Sequence, residues 1–217
     1  LEIHKRNNRM GFAMRYLILL LLFNVAHADL SSNPENISRY YAVEHGVVCD
    51  GSTDTLTALQ ALENVLDDKA GTEIVFPGGA ECVISGTWVI DAPGLKLSCA
   101  GNSGPLSDAN AANQFIDGCT ITQTAADATP IIRYEDNDKV QANLGFGQPV
   151  IENLSFKCED AAQAGKNAIE FSDNGTGTAP RAANGVFDQL AFSDCAGYAI
   201  TFGQDVYSEG LSFTNFR

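Results

Sequence analysis

Two short segments, Ala168-Ile-Glu-Phe171 and Ala199-Ile-Thr-Phe202, share one apolar–polar alternation, and an aspartate follows each, Asp173 and Asp205. In an extended strand the isoleucine and phenylalanine face one way and Glu170 the other, beside Thr201 of the companion segment. If the two strands are neighbours, Glu170, Asp173 and Asp205 come within about 5–9 Å of one another. That separation suits two carboxylates working as acid and base, or acid and nucleophile, on a glycosidic bond. The same two aspartates also suit turns, where a short carboxylate bonds the backbone just ahead of it. An insertion of about 15 residues, rich in Gly, Thr and Asn over 172–185, would wall one side of such a site.

Other chemistry is sparser. Glu135-Asp-Asn-Asp138 offers oxygen ligands of the kind Ca2+ takes, although a plain acidic loop has the same composition. No other cofactor is indicated. His4 and His27 belong to the N-terminal segment and His45 stands alone, so no histidine serves as a general base. Asp50 and Asp54 frame Gly51, Ser52 and Thr53, and fit a turn and a helix start better than catalysis. The 27 acidic against 13 basic residues argue against a nucleic-acid partner, which needs a basic patch. The same balance disfavours long-range attraction to an anionic polymer unless cations mediate.

These residues need elements to hold them. Gly46 and Asp50-Gly51 supply turns, Ser52 or Thr53 can cap a helix, and Leu56, Leu59, Leu62, Val65 and Leu66 recur at helical spacing. Everything later reads as short strands: Gly71–Phe76 stopped by Pro77, two around Gly86, Leu95–Ser98, Cys119–Gln123 and Ile131–Tyr134. Asn153-Leu-Ser-Phe156, Gln189-Leu-Ala-Phe192 and Gly210-Leu-Ser-Phe213 form one motif, interleaved with the Ala-Ile-x-Phe pair. The last interval, Leu190 to Leu211, is about 21 residues, the period of a solenoid. The expectation is an all-β solenoid, a right-handed parallel β-helix whose first turn the leucine stripe of the helix covers, C-terminally truncated after a few coils. Outward rows Ser155, Ala191, Ser212 and Lys157, Ser193, Thr214 would then stack, offering hydroxyls and one cation.

Met14-Arg15, the apolar run Leu17–Phe23 and Ala26-His27-Ala28 read as a secretory signal, too short to span a bilayer of about 30 Å. This divides the chain into upstream residues and signal over 1–28, a linker over 29–39, and one domain over 40–217. Removing the signal takes away Lys5, Arg6, Arg9, Arg15 and Glu2, leaving a more acidic, secreted protein with no membrane attachment. In an oxidising compartment the six cysteines suggest disulfides, with 15 possible pairings. Cys99–Cys119 would close a Gly/Asn/Ala-rich loop, and Cys158–Cys195 would join equivalent positions of neighbouring strands. Asn36, Asn153 and Asn174 begin glycosylation sequons. Nothing fixes the oligomeric state.

Asp50-Gly-Ser-Thr-Asp54 with Ala58-Leu-Gln-Ala-Leu62 resembles the opening motif of the pectate lyase-like right-handed parallel β-helix superfamily, which includes pectate lyase, rhamnogalacturonase and tailspike members. Gly71-Thr-Glu-Ile-Val-Phe-Pro-Gly-Gly79 and Glu152-Asn-Leu-Ser-Phe156 resemble its continuation. The chain departs at Val47-Val48-Cys49 and at Thr55, where the family carries a second acid. The resemblance implies a secreted carbohydrate-active enzyme, a polysaccharide lyase or glycoside hydrolase, whose partner is a pectin-like or other uronic-acid glycan. The polygalacturonase-type motifs and the Lys/Arg cluster of lyases are not seen in this sequence. Two alternatives are a non-catalytic, adhesin-like glycan binder and a tailspike-like depolymerase, the latter disfavoured by the signal.

Overall fold

The computed structural model describes residues 38–66, 69, 71–101, 118–135, 148–159, 166–172, 181–203 and 206–216. The chain divides into two units, Leu1–Asn36 and Ile37–Arg217. The first unit, and with it the expected secretory signal, lies outside the described residues.

In chain order the elements are β1 (Ser38–Tyr41), a 3-10 helix (Ala42–His45), β2 (Asp50–Asp54), α1 (Leu56–Leu66), β3 (Thr72–Phe76), β4 (Glu81–Ile84), β5 (Trp88–Ile90), β6 (Lys96–Cys99) and β7 (Cys119–Gln123). There follow β8 (Ile132–Glu135), β9 (Val150–Glu152), β10 (Leu154–Cys158), β11 (Ile169–Ser172), β12 (Arg181–Ala183), β13 (Val186–Asp188), β14 (Ala191–Ser193), β15 (Ile200–Phe202), β16 (Tyr207–Glu209) and β17 (Ser212–Thr214). Every described strand pairing is parallel. The first sheet runs β1-β3-β6-β9-β13-β17, the second β14-β10-β7-β4-β2 and the third β15-β11-β8-β5, with β12-β16 as a separate pair.

This arrangement corrects the expected all-β solenoid, the right-handed parallel β-helix. The strands are distributed over three separate parallel sheets, and the short period behind that expectation is not present. Residues that meet across neighbouring strands lie 37 apart at Arg133 and Glu170, 31 at Asn167 and Tyr198, and 26 at Asp188 and Thr214. The reason is a misread register. Left-handed backbone at Asn153, Gln189 and Asn215 (φ 59°, 53° and 55°) bends the chain sharply at the ends of β9, β13 and β17. These bends separate one sheet from the next. Ser212-Phe213-Thr214 therefore pairs with Val186-Phe187-Asp188 in the first sheet, not with β14 in the second. The row Ser155–Ala191 stacks as expected, and Ser212 does not join it.

The core is built from inward side chains in register. Ile132 lies over Ile169 and Ile200, and Tyr134 over Phe171 and Phe202. Rings stack at centroid distances of 4.7 Å for Tyr134–Phe171 and 5.6 Å for Phe156–Phe192. The strands are three to five residues long, so this apolar ladder, more than the length of any hydrogen-bonded ribbon, holds them. In α1 the expected stripe is buried at Leu59, Leu62 and Leu66, but Val65 is exposed and Glu63 takes the fourth inward place. Asp54 lies at the helix start, as expected, but the cap is its own: it, not Ser52 or Thr53, accepts the Leu56 amide, at 3.1 Å. Ser52 and Thr53 instead donate to Asp50.

Three disulfides, Cys49–Cys82, Cys99–Cys119 and Cys158–Cys195, leave no free cysteine and point to an oxidising, extracellular environment. No described helix is long and apolar enough to cross a membrane. Cys158–Cys195 joins β10 to the segment after β14, at a sequence separation of 37, and constrains the unfolded chain most by loop length. Replacing both cysteines with serine is expected to cost about 2–4 kcal/mol in denaturant unfolding. A loss under about 1 kcal/mol would show that the noncovalent ladder alone fixes these strands.

A charge ladder crosses the first sheet. Arg39 Nε donates to Glu73 Oε2 at 2.7 Å, and Lys96 Nζ lies 3.4 Å from Glu73 and 2.8 Å from Glu152. Burial alone would raise the Glu73 carboxyl. The Ser98 hydroxyl, Lys96 and Arg39 outweigh it and hold Glu73 below the ordinary glutamate value. A depressed folded value stabilises the fold above the unfolded pKa of about 4.3, and that contribution is lost as pH falls through the folded value. Denaturant midpoints should therefore fall through the acid range more steeply for the parent than for Glu73→Gln. Parallel pH profiles would exclude this role.

Candidate functional site

The outer face of the third sheet carries the side chains that the sequence singled out. Alternation along β5, β8, β11 and β15 turns Val89, Arg133, Glu170 and Thr201 outward in one register, opposite Trp88, Ile132, Ile169 and Ile200 and opposite Ile90, Tyr134, Phe171 and Phe202. The inward residues of β5, β8 and β11 are fully or almost fully buried. The outer row therefore rests on a packed base with little freedom to shift.

Glu170 faces outward beside Thr201, as expected. Its other neighbour is a cation: Arg133 Nε donates to Glu170 Oε1 at 3.0 Å, and Arg133 Nη1 lies 3.4 Å from Glu135 Oε1. The three side chains are 30%, 26% and 15% exposed, so the cluster is open to solvent from one side. It sets one guanidinium between two carboxylates, with hydroxyls alongside at Thr201 and Ser172. Such a fork recognises a carboxylate or vicinal oxygens, and the flanking acids accept hydroxyl protons.

Asp173 and Asp205 lie outside the described residues, so the proposed carboxylate trio is represented here by Glu170 alone. The insertion at 172–185 is not wholly loop: Arg181–Ala183 forms β12, paired with β16. Arg133 was missed from sequence, although Ile132-Arg-Tyr134 has the same apolar–polar–aromatic order as Ile169-Glu-Phe171, and that order was the available signal.

The other candidate faces carry less. Of the outward rows expected on the second sheet, Ser155 is buried, Lys157, Ala191 and Ser193 are half-buried, and Ser212 and Thr214 belong to the first sheet, so no single hydroxyl face is formed. On the first sheet Asp188 Oδ1 accepts the Thr214 hydroxyl at 2.6 Å and the Asn215 amide at 2.8 Å. Those bonds, the hydroxyl first, hold the Asp188 carboxyl below its ordinary range. Asp50 accepts the backbone N–H groups of Thr53 and Ser52, which likewise lower its carboxyl, and it serves the turn as expected.

Of the calcium candidates, Glu135 is paired with Arg133, and Asp136 to Asp138 lie outside the described residues. Among the described residues no group of three or more His, Cys, Asp or Glu is placed to hold a metal ion.

No family model and no curated protein matches the chain. Among solved structures it is similar to ORF18 of Geobacillus virus E2, at 17% identity and a TM-score of 0.44, over 80% of this chain and 27% of that one. It is also similar to a protein of Parabacteroides merdae ATCC 43184 named "putative glycosyl hydrolase", at 11% identity and a TM-score of 0.36, over 83% of this chain and 95% of that one. The chain thus spans about a quarter of the length of the viral protein.

Proposed function

We propose that this is a secreted carbohydrate-active protein and that a polysaccharide lies across the outer face of the third sheet. The observation that carries this reading is the position of Arg133 between Glu170 and Glu135 on a half-open, rigidly backed face. Arg133 gives that face a donor fork for a uronate carboxylate, and Glu170, Glu135 and Thr201 give acceptors for ring hydroxyls. The resemblance of Asp50–Asp54 and Glu152–Phe156 to pectate lyase-like sequences supports the same ligand class, and the three disulfides support export.

Cleavage is the finer reading. In a lyase, Arg133 would neutralise the uronate carboxylate while a base removes the neighbouring proton. In a hydrolase, Glu170 would need a second carboxylate within reach of the same bond. The test is a panel of polygalacturonate, alginate and xylan against the protein, scored for retardation in affinity gels, for new reducing ends and for unsaturated product. Binding of a uronate polymer that Arg133→Ala weakens is the expected result. Binding that ignores both Arg133→Ala and Glu170→Gln, or no binding to any of the three, would overturn the reading. Reducing ends with unsaturated product indicate a lyase, reducing ends alone a hydrolase, and retardation alone a binding protein.

A further inference from the structure

Glu170 and Glu135 are both bonded to Arg133, but they are held differently. Glu170 is the register partner of Arg133 on the neighbouring strand and accepts from Nε at 3.0 Å. Glu135 is the last residue of β8, two positions along from Arg133 on the same face, and accepts from Nη1 at 3.4 Å. The second distance is long for a charge-assisted bond, which settles at about 2.7–2.9 Å. Nη2 has no bonded acceptor among the described residues. The guanidinium is thus pinned at its Nε end, while its Nη1–Nη2 edge is loosely taken at one atom and open at the other. That edge presents two parallel N–H groups, the match for a carboxylate.

Charge decides what can happen there. One guanidinium between two carboxylates already leaves an excess of negative charge. A uronate that joined them would set three carboxylates around one cation. The guanidinium has donors enough for that, but the repulsion among the acids is not offset. The most weakly held carboxylate has to leave, and by distance that is Glu135. We infer that Glu135 stands in for the ligand's carboxylate on the Nη edge of Arg133 and so sets the selectivity of the site, while Glu170 is a positioning residue that fixes the guanidinium from its other end. A uronate binds by displacing Glu135, and a neutral sugar gains nothing from that exchange. Ser172, level with Glu135 on β11, offers the displaced carboxylate a hydroxyl. This rests on the polysaccharide reading above and separates two acids that have the same chemistry but opposite effects on the ligand.

The other prominent features carry less. The rings of Tyr198, Phe213 and Phe216 are exposed at the last strands, but nothing in the structure shows what covers them. The buried Lys166 donates to Ala125 O and belongs to the fold.

The test uses the full chain in affinity gels with polygalacturonate and alginate, and with fully methyl-esterified polygalacturonate, which has the same backbone with its carboxylates masked. The parent is compared with Glu135→Gln, Glu170→Gln, Arg133→Ala and the double variant Glu135→Gln/Arg133→Ala. Each glutamine keeps the side chain's shape and removes one charge, so the two single variants are matched in charge, and their denaturant midpoints show that both are folded. Glu135→Gln is expected to strengthen binding of the uronate polymers by about 3- to 10-fold and to leave the ester unchanged. Glu170→Gln removes the same charge from the Nε end and should strengthen binding by less than about 2-fold, or weaken it. The double variant should lose the gain, because the edge that Glu135 occupies is gone. Equal strengthening by both glutamine variants overturns the displacement and reduces the effect to net charge, and the polysaccharide reading stands. Uronate binding that Glu135→Gln leaves unchanged or weakens, with Arg133→Ala still lowering it, also overturns the displacement and spares that reading. A gain of the same size on the ester shows that Glu135 does not compete with a carboxylate and overturns its role in selectivity. No binding of any polymer by the parent overturns the polysaccharide reading and this inference with it.

Discussion

Phe171→Ala is expected to lower the unfolding free energy by about 3–5 kcal/mol, the usual cost of emptying a large aromatic site in a close-packed core. Phe171 is fully buried. Its ring stacks on Tyr134 at 4.7 Å and on Phe202 at 4.9 Å, and meets Phe187 edge-on at 6.0 Å. It therefore joins the third sheet to the first as well as β11 to both of its neighbours. The strands here are only three or four residues long, so without the ring they keep chiefly the Ile132, Ile169 and Ile200 row to hold them. Domains of this size are stable by about 5–15 kcal/mol in total, so the variant should sit near the edge of folding. Phe171→Leu, which keeps most of the volume, should lose less and remain folded. Urea unfolding of both variants reads the effect. A Phe171→Ala midpoint close to the parent's would mean that the aromatic stack does not carry the core. The effect also reaches the proposed site, because Phe171 follows Glu170 on the same strand and fixes the base under it.

The local pattern of the chain was largely legible. Alternation placed Ile169 and Phe171 inside and Glu170 outside, and the register of Ser155 with Ala191 followed from two copies of one motif. The Cys158–Cys195 and Cys99–Cys119 disulfides followed from the same comparison and from loop composition. What failed was the step from motif to period. Gly210-Leu-Ser-Phe213 looks like Gln189-Leu-Ala-Phe192, but the bend that matters is at Asn215, not at Gly210. Left-handed backbone at a non-glycine residue leaves only a weak trace in sequence, since Asn, Asp and Gln have many other uses. The three-residue strands β9 and β13 were missed for a related reason: three residues are too few for alternation to register.

At the proposed site, Glu170 stood out in the sequence because acids draw attention, while Arg133 was overlooked because no second cation stood near it in sequence. A parallel sheet pairs residues that lie 37 apart, and only the register shows that they meet. The helix gave the same lesson. Its leucines were read correctly, but a glutamate on the inward face has no signature in an apolar stripe.

That glutamate supports the second large effect. Glu63 is 2% exposed and lies on the face of α1 that packs against β5. Its Oε1 accepts the backbone N–H groups of Asp91 at 2.7 Å and Ala92 at 2.9 Å, and its Oε2 accepts the Gln60 amide at 3.0 Å. Gln60 in turn donates to Val89 O at 3.1 Å and accepts from Val89 N at 3.2 Å. The pair thus does for the edge of β5 what a neighbouring strand would do. An open edge exposes unpaired backbone groups and invites pairing with another chain, and here helix side chains close it. Glu63→Ala removes the acceptor of two amides, one of them buried, and leaves a gap under α1. The expected loss is about 2–4 kcal/mol, with charge-assisted bonds at the upper end. Glu63→Gln keeps one oxygen in place and should lose about half as much. Amide exchange separates this from a general loss of packing: the Asp91 and Ala92 amides should exchange faster in Glu63→Ala while those of β10 and β11 hold. Unchanged protection at Ala92 in the alanine variant would show that the carboxylate does not close this edge.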